Sequence, residues 1–314
     1  MKKVYFIVNP QAKNGKCKNL WIKLEKKLAN TNIDYQVIYT EYAKHATKIA
    51  RDIVSQDDNS QKLIVAVGGD GTIQEIVSGF SIPIPSNLSI SYIPCGSAND
   101  FSLGFGVDKN PFKAMDQLIK NLETKGVFID LGKVKGDNIS NNFINNMGIG
   151  YDAQICKSVN ESKIKFILNK IGLGKFVYVY FLIKHLLTYE TTTFEIKVDD
   201  QLHTFEDGWF CSISNQPYYG GGMRISPLAQ VNDGLLNITM VNKISRWKIL
   251  TLFITVFWGG HTNFKEIHMY EGKNITVKTK QNLPIHVDGE VVGSGNVDIQ
   301  VCHKAIHFIG TKQD

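Results

Sequence analysis

Along the first 125 residues the apolar positions alternate between two periods. Residues 4–8 form a short apolar run, the signature of a strand buried on both faces. Residues 18–28 then place apolar side chains at 20, 21, 24 and 28, one face of a helix. The same reading predicts strands over 35–39, 63–67 and 88–93, and helices over 46–54, 72–80 and 112–122. Alternation of this kind predicts a parallel sheet with crossover helices.

After about residue 126 the pattern becomes strand-like, over 194–198, 209–213, 235–241, 275–279, 285–287 and 297–301. Turn signals separate these runs at Asp199-Asp200, Asn232-Asp233-Gly234 and Asp288-Gly289. A helical stretch over 163–187 interrupts them. The second half is therefore expected to be mainly antiparallel β, as a sandwich. Two domains are expected: α/β over 1–126, completed by the chain end 304–314, and β-rich over 127–303. The longest strongly apolar stretch, 249–258, is about half a bilayer span, which predicts no transmembrane helix.

Charge changes this picture little. The formal balance is +6, compatible with an anionic substrate or an anionic membrane surface. It lacks the dense basic face of a nucleic-acid binder. The composition, 43% hydrophobic and 20% charged, supports a large core and excludes a disordered chain. Five scattered cysteines, at 17, 95, 156, 211 and 302, suit neither a disulfide scaffold nor a zinc site and point to a reducing compartment. The apolar run after Lys2-Lys3 stops at Asn9-Pro10, too short for a signal-peptide core, so a cytoplasmic protein is expected.

The first candidate chemistry is a glycine-rich turn after the third strand, Gly68-Gly69-Asp70-Gly71, entering a helix at Thr72. Three glycines let the chain bend and let a ligand approach the backbone. Thr72 and Glu75 have capping-box spacing, and a helix N-terminus beside the turn offers amides to an anion. Such a turn falls at the carboxyl end of a strand, where ligands of open parallel sheets bind. A carboxylate here, Asp70, repels phosphate unless a cation intervenes, which suggests Mg²⁺. No Walker A loop is present.

GGDGT followed by a helix resembles the signature shared by diacylglycerol kinases, sphingosine kinases and NAD kinases. Flanking motifs narrow the resemblance to the bacterial diacylglycerol kinase group. Asn9-Pro10-Gln11-Ala12-Lys13 is similar to that group's Asn-Pro loop, with Lys13 where glycine is usual. Thr40 matches its threonine after the second strand. Pro94 to Asp100 resembles Pro-x-Gly-Thr-x-Asn-Asp, with Ser97 for the threonine. The resemblance implies an α/β domain of the Rossmann-like kinase type that binds ATP through Asn9, Pro10, Gln11, Ala12, Lys13, Thr40, Gly68, Gly69, Asp70, Gly71, Thr72, Ile73, Gln74, Glu75, Ser97, Asn99 and Asp100. Asp70 and Asp100 would organise catalytic Mg²⁺.

In the second half, Gly220-Gly221-Gly222, Pro227, Ala229 and Asp233-Gly234 resemble a segment of these lipid kinases. It implies a structural Mg²⁺ held by the Asp233 carboxylate and main-chain carbonyls of Gln230 and Leu235. On its own the segment would read as an Asn-Asp-Gly turn. His286-Val287-Asp288-Gly289-Glu290 matches the Asp-Gly-Glu that carries the general base in the family, implying Asp288 as base, with Glu290 as competing candidate or orienting partner, acting across an interdomain cleft. Alone, Asp-Gly-Glu reads as a hairpin turn.

The resemblance implies a lipid kinase that moves the γ-phosphate of ATP to diacylglycerol, acts at the inner face of an anionic membrane and commonly pairs as a homodimer. An NAD kinase and a non-catalytic binding protein of the same fold are the alternatives. Gly148 to Ala153 fits GxGxxA, but is read as a strand-to-helix turn rather than a dinucleotide site. The apolar stripes Phe176, Val177, Tyr180, Phe181, Ile183, Leu187 and Leu250, Leu252, Phe253, Ile254, Val256, Phe257, Trp258 are read as helix packing in preference to a lipid wall.

Overall fold

A computed structural model describes residues 2–56, 60–123, 126–162 and 174–310. The chain divides into two compact units, Met1–Leu131 with His303–Asp314, and Gly132–Cys302.

In the first unit, β1 (Lys3–Val8), β2 (Tyr35–Tyr39), β3 (Lys62–Gly68) and β4 (Leu88–Pro94) lie in the order β2-β1-β3-β4, all parallel. The returning chain adds His307 and Phe308 beside β4, again parallel. β3 and β4 are buried at every position, which is why they read as unbroken apolar runs. Helices α1 (Lys16–Leu28), α2 (His45–Val54), α3 (Asp70–Ser78), α4 (Asp100–Gly104) and α5 (Pro111–Asn121) supply the crossovers. Trp21 and Leu24 of α1 and Met115 and Leu118 of α5 cover one face, against Phe6, Val65 and Val67. The strand order reverses between β1 and β3, so their carboxyl ends flank a switch point, the place where open α/β sheets bind ligands.

The second unit holds the rest of β5 (Val127–Gly136), then β6 (Ile139–Phe143), β7 (Asn146–Gly150), α6 (Tyr151–Glu161) and α7 (Gly174–Leu186). β8 (Thr192–Val198), β9 (Gln201–Ser214), β10 (Leu236–Asn242) and α8 (Arg246–Thr255) follow. β11 (Ile267–Gly272), β12 (Asn274–Thr279), β13 (Pro284–Val287), β14 (Glu290–Ser294) and β15 (Val297–Phe308) as far as Cys302 complete it. The pairings β14-β13-β7-β9-β10-β11 and β9-β8-β12-β15 are all antiparallel. Phe194, Ile196, Ile275, Val277 and Ile299 pack with Met147, Ile149, Ile213, Ile238 and Ile285 in one core, as a sandwich requires. A second core joins the sheet, through Trp209, Phe210 and Val241, to α6, α7 and α8. The helical stretch expected over 163–187 is helix at Gly174–Leu186, and 163–173 lie outside the described residues.

The two apolar stripes read as packing are split by the structure. Val177 and Phe181 are buried, but Tyr180, Ile183 and Leu187 are exposed. Leu252 and Val256 are buried, but Ile254, Phe257 and Trp258 are exposed. A helix apolar on every side gives one sequence pattern whether or not both faces are covered.

Candidate active site

The loops that follow β1, β3 and β4 form a connected set at one edge of the first unit. After β1, the Asn9 N–H donates to the Val67 carbonyl at 2.9 Å, and Asn9 Nδ2 donates to Thr72 Oγ1 at 3.3 Å. Asn9 Oδ1 accepts from the Gln11 N–H at 3.0 Å. Asn9 is thus the joint between the Asn-Pro loop and the glycine turn, and Pro10, Gln11 and Ala12 bend from it into α1. Lys13, Asn14 and Gly15 all have positive φ, at 52°, 57° and 81°. That conformation favours glycine, so Lys13 occupies a position whose backbone explains the family's usual residue. Thr40 is buried at the end of β2, its N–H donating to the Val8 carbonyl at 2.9 Å.

The glycines of the next turn serve different ends. A Cβ on Gly68 would overlap the Thr72 side chain, and Gly69 packs backbone to backbone on Gly96. These two glycines are required by the close approach of protein to protein. A Cβ on Gly71 would meet nothing within 4 Å, so this position alone opens to a ligand.

The expected capping box is not formed. α3 begins at Asp70, two residues early, with extended Gly69 at its cap and no side-chain cap bond. Thr72 instead receives Asn9, and Glu75 accepts from the amides of Lys44 and Ala46 at 3.0 and 3.2 Å. Glu75 therefore caps α2, whose own cap residue Lys44 has φ 66° and no cap bond. Ile73 is buried in the core, and Gln74 Nε2 donates to Ser78 Oγ at 3.2 Å. Ile73 thus anchors α3 in the core and Glu75 ties it to α2, while the Gln74 bond stays within α3.

Asp70 Oδ1 accepts from the Phe101 N–H at 2.9 Å, tying the start of α3 to the start of α4. Burial raises its pKa, against the amides that favour the carboxylate. Asp100 is buried at the same point of α4. Carboxylate oxygens are hard donors, and a divalent cation beside either acid would offset the cost of burying it. Asn99, at φ 56°, clips its own loop: Oδ1 accepts from the Gly96 N–H at 2.9 Å and from Tyr92 Oη at 3.0 Å. Ser97 is exposed.

In the second unit, Asp288 and Gly289 form the two-residue turn of the β13–β14 hairpin, with φ 47° and 87°. Positive φ at both positions is the type I′ requirement that Asp-Gly meets. The Asp288 carboxylate accepts three main-chain bonds, from Ile144 at 3.0 Å, Asn145 at 2.9 Å and Asn146 at 2.8 Å. Burial pushes its pKa up to about 6, against the pull of those amides and of His286. Glu290, the first residue of β14, is exposed.

Sequence reasoning passes over the residues that brace this hairpin. The buried His286 lies 3.3 Å, Nε2 to Oδ2, from the buried Asp152. The Gly289 N–H donates to His286 Nδ1 at 3.4 Å, so Nε2 carries the proton toward Asp152. Asn160 Nδ2 donates to the Gly289 carbonyl at 3.0 Å. A Cβ on Gly148 would overlap both Asp152 and His286, which explains the GxGxxA pattern: its first glycine makes room for this pair, and β7 runs directly into α6. The signal is present in the sequence, but it points to a different chemistry.

The three-glycine loop is closed by mutual Tyr219–Met223 main-chain bonds at 3.0 Å, with all three glycines at positive φ. Further along the chain, Asp233 Oδ1 accepts from the Leu235 N–H at 2.9 Å. Asp233 and Gln230 are exposed, and no three His, Cys, Asp or Glu converge among the described residues. One accessible carboxylate among main-chain carbonyls fits a largely hydrated hard cation rather than a protein cage.

Residues 3–134 match the diacylglycerol kinase catalytic domain, and residues 145–310 match the YegS C-terminal NAD kinase beta sandwich-like domain. A Bacillus subtilis protein named "Putative lipid kinase YtlR" is 30% identical over 293 residues, covering 92% of this chain and 94% of the relative. The chain belongs to the diacylglycerol kinase family. A diacylglycerol kinase of Bacillus subtilis is 26% identical over 315 residues, covering 100% of this chain and 98% of its own. A crystal structure of a diacylglycerol kinase from Bacillus anthracis superposes with a TM-score of 0.76 at 26% identity, over 99% of this chain and 98% of that one. Family membership makes the protein a lipid kinase, with ATP as phosphate donor and a divalent metal as the usual accompaniment. No helix among the described residues is long and apolar enough to cross a membrane.

Proposed function

We propose that this kinase transfers the γ-phosphate of ATP to the hydroxyl of diacylglycerol, giving phosphatidic acid. The observation that carries the reading is the joint at the switch point: Asn9 links the Asn-Pro loop to Thr72, beside the uncapped start of α3 and the open face of Gly71. Amides at a helix start and a glycine without neighbours suit a phosphate chain. The choice of diacylglycerol rests on relatives that bear that name.

Transfer is a displacement in which the lipid oxygen bonds to phosphorus, the bond to ADP breaks and the hydroxyl proton passes to a base. Asp288 and Glu290 are the two candidates. Both oxygens of Asp288 already accept amides, so we assign it the orienting role, and the exposed Glu290 that of base. Mg²⁺ supplies charge neutralisation on the phosphates; Asp70 and Asp100 would hold it there, and Asp233, with the carbonyls of Gln230 and Leu235, would hold a structural ion.

The test is ATP-dependent labelling of a panel holding diacylglycerol, ceramide, a sphingoid base and NAD⁺, with products identified by mass. Labelled phosphatidic acid is expected. Phosphorylated NAD⁺ alone would give the site to the NAD kinase reading.

A further inference from the structure

α8 and the residues after it present an apolar face that the fold does not use. Trp247 is 71% exposed, and Ile254, Phe257 and Trp258 are 59%, 47% and 60% exposed. Trp247 and Ile254, seven residues apart, lie on one side of α8, and Phe257 and Trp258 follow in a 3-10 turn, while Ile249, Leu252 and Val256 join the core with α6 and α7. Two neighbours extend the face. Leu228 is 75% exposed, on a segment tied here by the Arg224 N–H to the Val256 carbonyl at 2.9 Å and by His261 to the Ile225 carbonyl at 2.9 Å. Leu187, also exposed, follows Leu186, whose carbonyl accepts from Arg246 at the start of α8. Soluble proteins seldom leave such a run of large apolar groups bare without a partner for it.

The charge around the face selects the partner. From Lys243 to Lys265 the chain carries Lys243, Arg246, Lys248 and Lys265 and no carboxylate. Lys243 pairs with Glu206 and Lys248 with Glu266, and Arg246, Lys265 and the nearby Lys184 remain in excess. Two copies meeting through this face would set like charges against each other. Trp and Phe projecting from a helix, with cations at its flanks, have instead the composition of an interfacial helix on an anionic bilayer. We infer that α8 with residues 256–258 and Leu228 is the element through which this protein inserts into the surface of an anionic phospholipid membrane. The inference gains its purpose from the lipid-acceptor reading, but binding is measured without turnover.

The test uses the full chain and vesicles of phosphatidylcholine with or without phosphatidylglycerol, free of diacylglycerol and ATP. The four tryptophans make a built-in reporter. Trp21 and Trp209 are buried, at 0% and 3% exposure, so an emission change on vesicles reports Trp247 and Trp258. A blue shift on anionic vesicles is expected. The variant carrying Trp247→Ala, Ile254→Ala and Trp258→Ala should keep the wild-type circular dichroism and bind these vesicles at least about ten-fold more weakly. Lys184→Glu with Lys265→Glu should remove the preference for phosphatidylglycerol. Unchanged flotation of the triple variant overturns the inference, as does wild-type emission that does not move. A wild-type dimer that the triple variant abolishes, with no vesicle binding by either, assigns the face to a second copy and overturns it equally. If vesicles bind but no lipid is phosphorylated, the acceptor reading fails and this one stands.

Discussion

The glycine turn of the first unit and the Asp-Gly hairpin of the other unit are alike in sequence, and they use their carboxylates alike. Asp70 accepts the Phe101 amide, and Asp288 accepts the amides of Ile144, Asn145 and Asn146. Burial raises the pKa of both. They differ in what stands free beside the pinned acid. In the first unit it is backbone, the open Gly71 at an uncapped helix start. In the second it is a side chain, the exposed Glu290. In each motif the more conspicuous acid is pinned by main-chain amides, and the group beside it is the one left exposed.

The largest effect separates pin from base. Glu290→Gln should lower kcat by about 10²–10⁴-fold and leave the unfolding midpoint unchanged. A variant with wild-type turnover returns the base to Asp288, as would a wild-type kcat that falls as pH drops through about 6.

Next, Asp288→Ala should cost about 3 kcal/mol or more of stability, because it leaves three amides without their acceptor. Urea unfolding measures this. A loss below about 1 kcal/mol would show that the hairpin is not pinned this way.

The glycines of the other region make a smaller, two-sided contrast. Gly68→Ala should lose about 1–3 kcal/mol through overlap with Thr72. Gly71→Ala should unfold like wild type yet bind ATP more weakly by calorimetry. Equal affinity in Gly71→Ala would remove that glycine from the nucleotide site.

These contrasts also mark where the sequence can be read. β3 and β4, buried on both faces, are plain as apolar runs, and the motifs after β1, β3 and β4 stand in order because each follows its strand. β6 reads Ile-Ser-Asn-Asn-Phe, too polar for such a run, and its pattern predicts no strand. The capping box fails because Thr72 and Glu75 have better partners in other loops, Asn9 and the start of α2. Local spacing does not show a competing long-range acceptor. Asp152 and His286 are 134 residues apart, and only β7 meeting β13 makes them neighbours.

The smallest effect is a pH slope. A carboxyl whose folded pKa exceeds its unfolded value binds its proton more tightly in the folded state, so stability falls as pH rises between the two. For Asp288 the window runs from about 4, the unfolded value, to about 6. Across it the wild type should lose about 1–2 kcal/mol relative to Asp288→Asn, the hairpin being partly solvated. Urea midpoints for both proteins at pH 4, 5, 6 and 7 give the difference directly. Parallel curves would mean that the three amides hold the Asp288 carboxylate ionised throughout, with its burial cost fully offset, and the two regions would then differ in electrostatics as well as in what they leave free.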